Sequence, residues 1–128
     1  GATFVARAYS GRQTHLVEVL KQAIEHKGFS FVDVFSPCVT YNMDNTYKWF
    51  KPRVKPLEDE DYDPTDFHVA IDKGHQWGDE IPIGVFWRRN DLLSLNDLEP
   101  VLSEGGPLAY RSLGLSRDQS NRLVAEMM

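Results

Sequence analysis

An α/β fold containing a parallel βαβ unit is what this sequence predicts, and three consecutive segments predict it. Residues 3–9 alternate small and large apolar side chains, the period of a strand, and end at the turn formers Ser10 and Gly11. Residues 14–27 read as a helix capped by Thr14 and closed by Gly28. Leu16, Val19, Leu20, Ala23 and Ile24 share one face of it, with Glu18, Lys21, Gln22 and Glu25 opposite, so it packs by one side only. Residues 29–35, FSFVDVF, carry Phe and Val on alternate faces with Asp33 the only charge. A strand apolar on both faces is expected inside a parallel sheet with helices over each side. The crossover from strand through helix to parallel strand is expected to be right-handed.

Pro37 ends the second strand because it lacks the amide hydrogen that the next ladder bond needs. Cys38, the only cysteine, follows at the carboxyl rim of the sheet, where open α/β folds bind their ligands. Beyond Asn42 the character changes. NTYKWFKPRVKPL interleaves aromatic and basic residues, and the acidic EDEDYDP comes after it. Asp63 and Pro64 suit the cap and first position of a helix reaching about Trp77. IPIGVFWR reads as a strand, with Arg89, Asn90 and Asp91 turning into LLSL as a short hairpin. Ser116 with Gln119 forms a capping box for a last helix that runs to the terminus. The expected division is a βαβ portion over residues 1–42 and an extension of helices and a short hairpin over residues 43–128.

The chain has 128 residues, enough for one domain, and 41% hydrophobic content gives that domain a core. A net charge of -5 argues against a broad nucleic-acid footprint, which needs clustered excess Lys and Arg. A lone cysteine forms no internal disulfide, which fits a reducing, cytoplasmic setting. No run of eighteen apolar residues and no charged-then-apolar leader is present, so neither a membrane span nor a signal peptide is expected. The chain opens on Gly1 rather than Met, and GATFVARAY already reads like the middle of a fold, so a piece of a longer protein is expected.

The residues admit few chemistries. Cys38 has three readings: a small apolar residue packed at a strand end, a nucleophile, or a metal or iron–sulfur ligand. No nearby histidine supports the second, and the third needs partner cysteines from elsewhere, since such clusters take four ligands. His68, Asp72 and His75 form H-x-x-x-D-x-x-H on one helical face, a spacing that can hold a divalent metal. Phe67, Ala70, Ile71, Gly74 and Trp77 lie opposite, so the stripe equally sits where solvated residues belong. Lys48, Lys51, Arg53 and Lys55 between Tyr47, Trp49 and Phe50 resemble a single-stranded nucleic-acid strip. The neighbouring Glu58, Asp59, Glu60, Asp61 and Asp63 make a self-compensated surface the better reading, with the aromatics as docking residues. His15 and His26 flank a helix without a partner pattern. There is no phosphate loop, no G-x-S-x-G, no H-E-x-x-H and no C-x-x-C, so no complete active site is readable.

Taken together, GATFVARAYS, HLVEVLKQAIEHKGFSFVDVFSPCVTYN, NTYKWFK and AIDKGHQWGDEIPIGVFW resemble the β subunit of 2-oxoacid:ferredoxin oxidoreductases, especially the two-subunit type acting on 2-oxoglutarate. The likeness covers residues 1–88 in order, and the tail after Arg88 does not align. The joint occurrence of S-P-C-x-T-[YF]-N, N-T-x-x-W and W-G-D-x-I-P-I-G carries the specificity. The resemblance implies oxidative decarboxylation of a 2-oxoacid such as 2-oxoglutarate or pyruvate to an acyl-CoA and carbon dioxide, with electrons leaving to ferredoxin. It implies thiamine diphosphate, magnesium and one 4Fe–4S cluster in the full-length subunit, with the cofactor supplying the carbanion chemistry. It also implies that Cys38 is the fourth cluster ligand, the other three lying near the start of the subunit.

On that resemblance residues 1–42 are the last βαβ portion of a thiamine-diphosphate-binding domain, and residues 43–128 are the C-terminal extension of the β subunit. The G-D-G-D motif for pyrophosphate and magnesium is absent, so the chain alone is expected to bind neither cofactor and to be inactive. The implied partners are an α subunit, ferredoxin, the 2-oxoacid and coenzyme A, with no nucleic acid and no membrane. An exposed sheet edge favours self-association of the isolated chain. The alternative is a non-catalytic assembly module that docks through NTYKWFKPRVK.

Overall fold

Strand β1 (Phe4–Tyr9) and strand β2 (Ser30–Phe35) lie parallel, in register from Phe4 opposite Ser30 to Tyr9 opposite Phe35. Helix α1 (Gln13–Glu25) connects them. The computed structural model describes residues 1–112 and 114–127, in two compact units, Gly1–Ser94 and Leu95–Met128. Strand β3 (Val54–Pro56) and strand β4 (Ile81–Arg88) complete a four-stranded mixed sheet of order β2-β1-β4-β3. Here β4 runs antiparallel to β1 and parallel to β3. The sheet therefore draws in residues well beyond 42, and the first compact unit extends to Ser94.

The expected βαβ unit is present, with two local differences. The turn that leaves β1 passes straight into the helix, Arg12 N–H donating to Tyr9 O at 3.0 Å, so Arg12 occupies the cap position and Thr14 falls inside the first turn. The face of α1 that meets the sheet is also narrower than its apolar content suggests. Val19 is buried and Leu16 and Ala23 pack beside it, whereas Ile24 is 83% exposed.

The interior placement expected for β2 is a correction: it is an edge strand. Because β4 takes the other side of β1, β1 is the central strand, and β2 keeps an open edge with Phe31 and Val34 exposed. Parallel pairing holds, but two-sided apolarity here does not mean two-sided burial within this chain.

Two apolar clusters hold the sheet. Phe4, Ala6, Ala8, Val19 and Val85 pack under α1. Tyr9, Phe50, Val54, Ile81 and Ile83 form the second, joined by Phe35 and Trp49. Each large side chain so buried contributes roughly 1.5–3 kcal/mol. Phe50 ends the short helix α2 (Tyr47–Phe50) and is buried with Trp49 packed half-buried beside it, whereas Tyr47 stays exposed, so Phe50 belongs to the core rather than to a docking surface. The guanidinium of Arg53 lies 4.1 Å from the Trp49 ring centroid and faces Asp79 at 3.6 Å. Glu58 pairs with His15 at 3.2 Å, and Glu60 pairs with Lys73. These acidic residues thus meet His15 and Lys73 from other elements, not the basic strip.

Helix α3 (Phe67–His75) starts later than expected. The Asp63 carboxylate accepts from both the amide and the hydroxyl of Thr65 in a turn, and Asp66 takes over the cap by accepting from His68 and Val69 amides at 2.9 and 3.1 Å. The hairpin after β4 does not form, which corrects that expectation. The Tyr62 hydroxyl donates to Phe86 O, and Arg88 N–H donates to Pro64 O at 2.8 Å. With β1 on its other side, this half of β4 has no free edge for LLSL to pair with.

The second unit contains α4 (Leu95–Leu98), α5 (Pro100–Ser103), a single 3-10 turn at Leu108–Tyr110, and α6 (Arg117–Glu126). The predicted capping box starts α6: Ser116 Oγ accepts from Gln119 N–H at 3.3 Å, and Gln119 Oε1 accepts from Ser116 N–H at 2.8 Å. Its expected end at Met128 lies outside the described residues. Arg111 ties the loop before α6 together by donating to Gly105 O at 2.8 Å and to Val101 O. Among the described residues no helix is long and apolar enough to cross a membrane.

Candidate functional site

The carboxyl tips of the parallel pair β1 and β2 bring together residues that sequence spacing keeps far apart. Tyr9 and Phe35 end the two strands opposite each other, their rings stacked with centroids 4.9 Å apart. Ser10 N–H donates to Phe35 O at 3.1 Å, the last bond across the tips. Pro37 offers no amide hydrogen to extend the ladder, and the chain leaves the sheet carrying Cys38. The thiol is free and exposed, three residues beyond Phe35 at the rim of the sheet. Neither the apolar, packed reading of Cys38 nor a nucleophile–histidine pair matches this surrounding.

The loop that presents Cys38 is built from its own polar groups. Asn42 N–H donates to Cys38 O at 2.9 Å, closing one turn. The Asn42 side-chain oxygen then accepts from the amides of Asp44 and Asn45 at 3.1 and 2.9 Å. The chain next enters α2, whose first residue, Tyr47, reaches back to the strand tips. Its hydroxyl lies 3.4 Å from Ser10 Oγ and 3.3 Å from Ser36 Oγ. Hydrogen bonds from Ser10 first and Ser36 second favour the phenolate and hold the Tyr47 hydroxyl below its ordinary value, against a smaller opposing effect of burial. The backbone carbonyl of Tyr47 accepts from the Tyr9 hydroxyl at 3.4 Å, and burial, then Tyr47, raise Tyr9. Sequence reasoning missed this hydroxyl cluster. Its only trace is a serine just after each strand.

His68, Asp72 and His75 fall along α3 as predicted, and all three are exposed or half-exposed on its polar side. Among the described residues no three His, Cys, Asp or Glu side chains converge in a group that could hold a metal ion. Cys38 likewise stands without companion ligands among the described residues of this chain.

On the face of the sheet that carries α3 lies an apolar groove of about 470 Å³, walled by Val5, Phe31, Phe67, Ile71 and Phe86. Arg7 and Asp33, opposite each other in the parallel register, form an ion pair at 3.1 Å on its floor. Arg7 also donates to Gly74 O at 3.2 Å, and its guanidinium lies 5.3 and 5.1 Å from the Trp77 and Phe86 ring centroids. A charged residue in each of two otherwise apolar strands was the available signal for this pair.

Residues 38–104, just over half of the chain and beginning at Cys38, match the family described as the C terminal of the pyruvate ferredoxin oxidoreductase beta subunit. The chain belongs to that family. The match continues past Arg88, so part of the tail expected not to align is a family feature. The 2-oxoacid:ferredoxin oxidoreductase subunit beta of Sulfolobus sp is 44% identical over 73% of this chain and 33% of its own length. Subunit beta of 2-oxoacid:ferredoxin oxidoreductase 1 from Aeropyrum pernix is 39% identical over 83% of this chain and 42% of its own. The solved 2-oxoglutarate:ferredoxin oxidoreductase from Magnetococcus marinus, with 2-oxoglutarate, coenzyme A and succinyl-CoA bound, superposes with a TM-score of 0.69 at 29% identity. That superposition covers 100% of this chain and 41% of the other. This β-subunit region therefore spans between about a third and two fifths of the proteins it resembles.

Proposed function

We propose that this chain is the C-terminal region of the β subunit of a 2-oxoacid:ferredoxin oxidoreductase, and that Cys38 is one ligand of its iron–sulfur cluster. The observation that carries the reading is the exposed thiol at the carboxyl rim of a parallel strand pair, in a chain of this family. The donor chemistry fits: a thiolate is the ligand iron–sulfur centres use, and one thiolate leaves three positions to cysteines outside this chain. A 4Fe–4S cluster held there would supply one-electron transfer from the reacting 2-oxoacid to ferredoxin.

The chain's own part is positional. The Tyr9–Phe35 stack and the Ser10–Phe35 bond fix the tips of β1 and β2, Pro37 turns the chain out of the sheet, and the Asn42 turns hold the thiol-bearing loop. No residue here is assigned to thiamine diphosphate or magnesium, so the isolated chain is inactive on this reading. An α subunit, the 2-oxoacid, coenzyme A and ferredoxin are partners of the whole enzyme, in a cytoplasmic setting supported by the single free cysteine. In the docking-module alternative Phe50 and Val54 are buried, so its contact strip narrows to the exposed Tyr47, Lys48, Lys51 and Lys55.

The test is turnover. A β subunit ending in this region, produced together with its α subunit, is expected to reduce ferredoxin only when both a 2-oxoacid and coenzyme A are supplied, releasing carbon dioxide. Failure with 2-oxoglutarate, pyruvate and related acids in a correctly assembled, iron-loaded preparation would contradict the assignment.

A further inference from the structure

We propose that Tyr47 is a positioning residue whose hydroxyl ties the tips of β1 and β2 together through Ser10 and Ser36 and thereby fixes the loop presenting Cys38. The loop leaves the sheet at Ser36 and returns at Tyr47, and the hydroxyl pair between these two residues closes its base at 3.3 Å. Ser10, directly after β1, approaches the same hydroxyl at 3.4 Å. A phenol has one proton to donate and lone pairs to accept with, so Tyr47 can donate to one serine while accepting from the other. Inside the loop the Asn42 bonds order its tip, and they run only between residues of the loop itself. The Tyr47 hydroxyl is the side-chain group that reaches the residues following both strands at once, Ser10 and Ser36.

The ring of Tyr47 is anchored separately. Its centroid lies 6.0 Å from that of Tyr9, and its carbonyl accepts from the Tyr9 hydroxyl. Removing the hydroxyl alone therefore leaves the ring in place and isolates the tie. The Tyr47 phenol, held below its ordinary value by Ser10 first and Ser36 second, agrees with two hydroxyls serving it.

The inference rests on the reading of Cys38 as a cluster ligand only for its functional consequence, and the experiment separates the two. In this chain, Tyr47→Phe is expected to speed amide hydrogen exchange on the order of tenfold over residues 38–45, the scale of losing one or two hydrogen bonds, with β4 and α1 unchanged. Ser36→Ala should do the same, and the double variant should exchange no faster than either single one. Unchanged exchange in Tyr47→Phe overturns the tie. In the iron-loaded β subunit, Tyr47→Phe is expected to lose iron to a chelator on the order of tenfold faster than the unsubstituted protein and to alter the EPR spectrum of the reduced cluster. Faster loop exchange with unchanged iron loss and EPR spectrum overturns the positioning role while leaving the tie intact. A full iron complement in Cys38→Ser would instead strike the ligand assignment, and the exchange experiment would still decide the tie.

Discussion

Phe50 decides whether the aromatic strip beginning at Tyr47 is core or contact surface, and its loss can be sized from its surroundings. The residue is 8% exposed and meets the rings of Trp49, Phe35, Tyr9 and Trp77 at centroid separations of 4.8, 5.3, 5.9 and 6.4 Å. Truncation to alanine in such a site costs ~3–5 kcal/mol, a large part of a domain's total stability, so the gentler Phe50→Leu is the useful variant. It removes three carbons at ~0.8 kcal/mol each and the favourable ring–ring geometry, for a loss of ~3 kcal/mol. Lys48, two residues away and exposed, should cost no more than ~0.5 kcal/mol when changed to alanine. Urea unfolding followed by tryptophan fluorescence suits the question, because the rings of Trp49 and Trp77 both meet that of Phe50. The midpoint for Phe50→Leu should fall by on the order of 1 M while that for Lys48→Ala barely moves. Coincident midpoints for the two variants would place Phe50 at the surface and restore the strip as a contact face.

The other predictions concern protonation, backbone and metal. Burial, then Arg88, hold His26 below its ordinary value near 6.5, so the native state resists a proton that the unfolded chain accepts. Stability is then full above pH 6.5 and declines as pH falls below it, and thermal melts should show this slope flattened in His26→Asn. Gly28→Ala should destabilise by more than ~1 kcal/mol, because φ is +144° there and a Cβ would stand 2.2 Å from Thr3 Oγ1, disrupting the 2.8 Å contact between Thr3 and His26. Chemical denaturation checks it, and a neutral result would contradict the geometry. His68→Ala with His75→Ala should leave thermal stability unchanged in the presence and absence of added zinc, and a zinc-dependent difference would revive the metal stripe.

Much of the fold was legible where a local signal and the tertiary outcome agree. Alternation marked β1 and β2, the unbroken apolar run gave β4 to the residue, and the Ser116–Gln119 box gave the start of α6. The failures have physical causes. The edge position of β2 depends on where β4 docks, which no pattern within β2 records. The three-residue β3 is too short for any period to show. The hairpin signal at Arg89–Asp91 was real chemistry, a paired contact at 2.7 and 2.8 Å, but LLSL had no free strand edge to meet. Asp63 has the chemistry of a cap and spends its carboxylate on Thr65 instead. At the candidate site, Pro37 and the strand end located Cys38 at the rim, because chain direction alone fixes which end of a parallel strand a residue follows. The Ser10–Ser36–Tyr47 cluster stayed hidden, since it joins three elements that share no sequence pattern.

Iron content of the Cys38→Ser β subunit, purified anaerobically and compared with the unsubstituted protein, tests the central claim most directly. Ligation by Cys38 requires a full 4Fe–4S complement in the parent and a bleached or depleted cluster in the variant, with an altered EPR signal from whatever remains. A full iron complement and an unchanged visible and EPR spectrum in Cys38→Ser would contradict it.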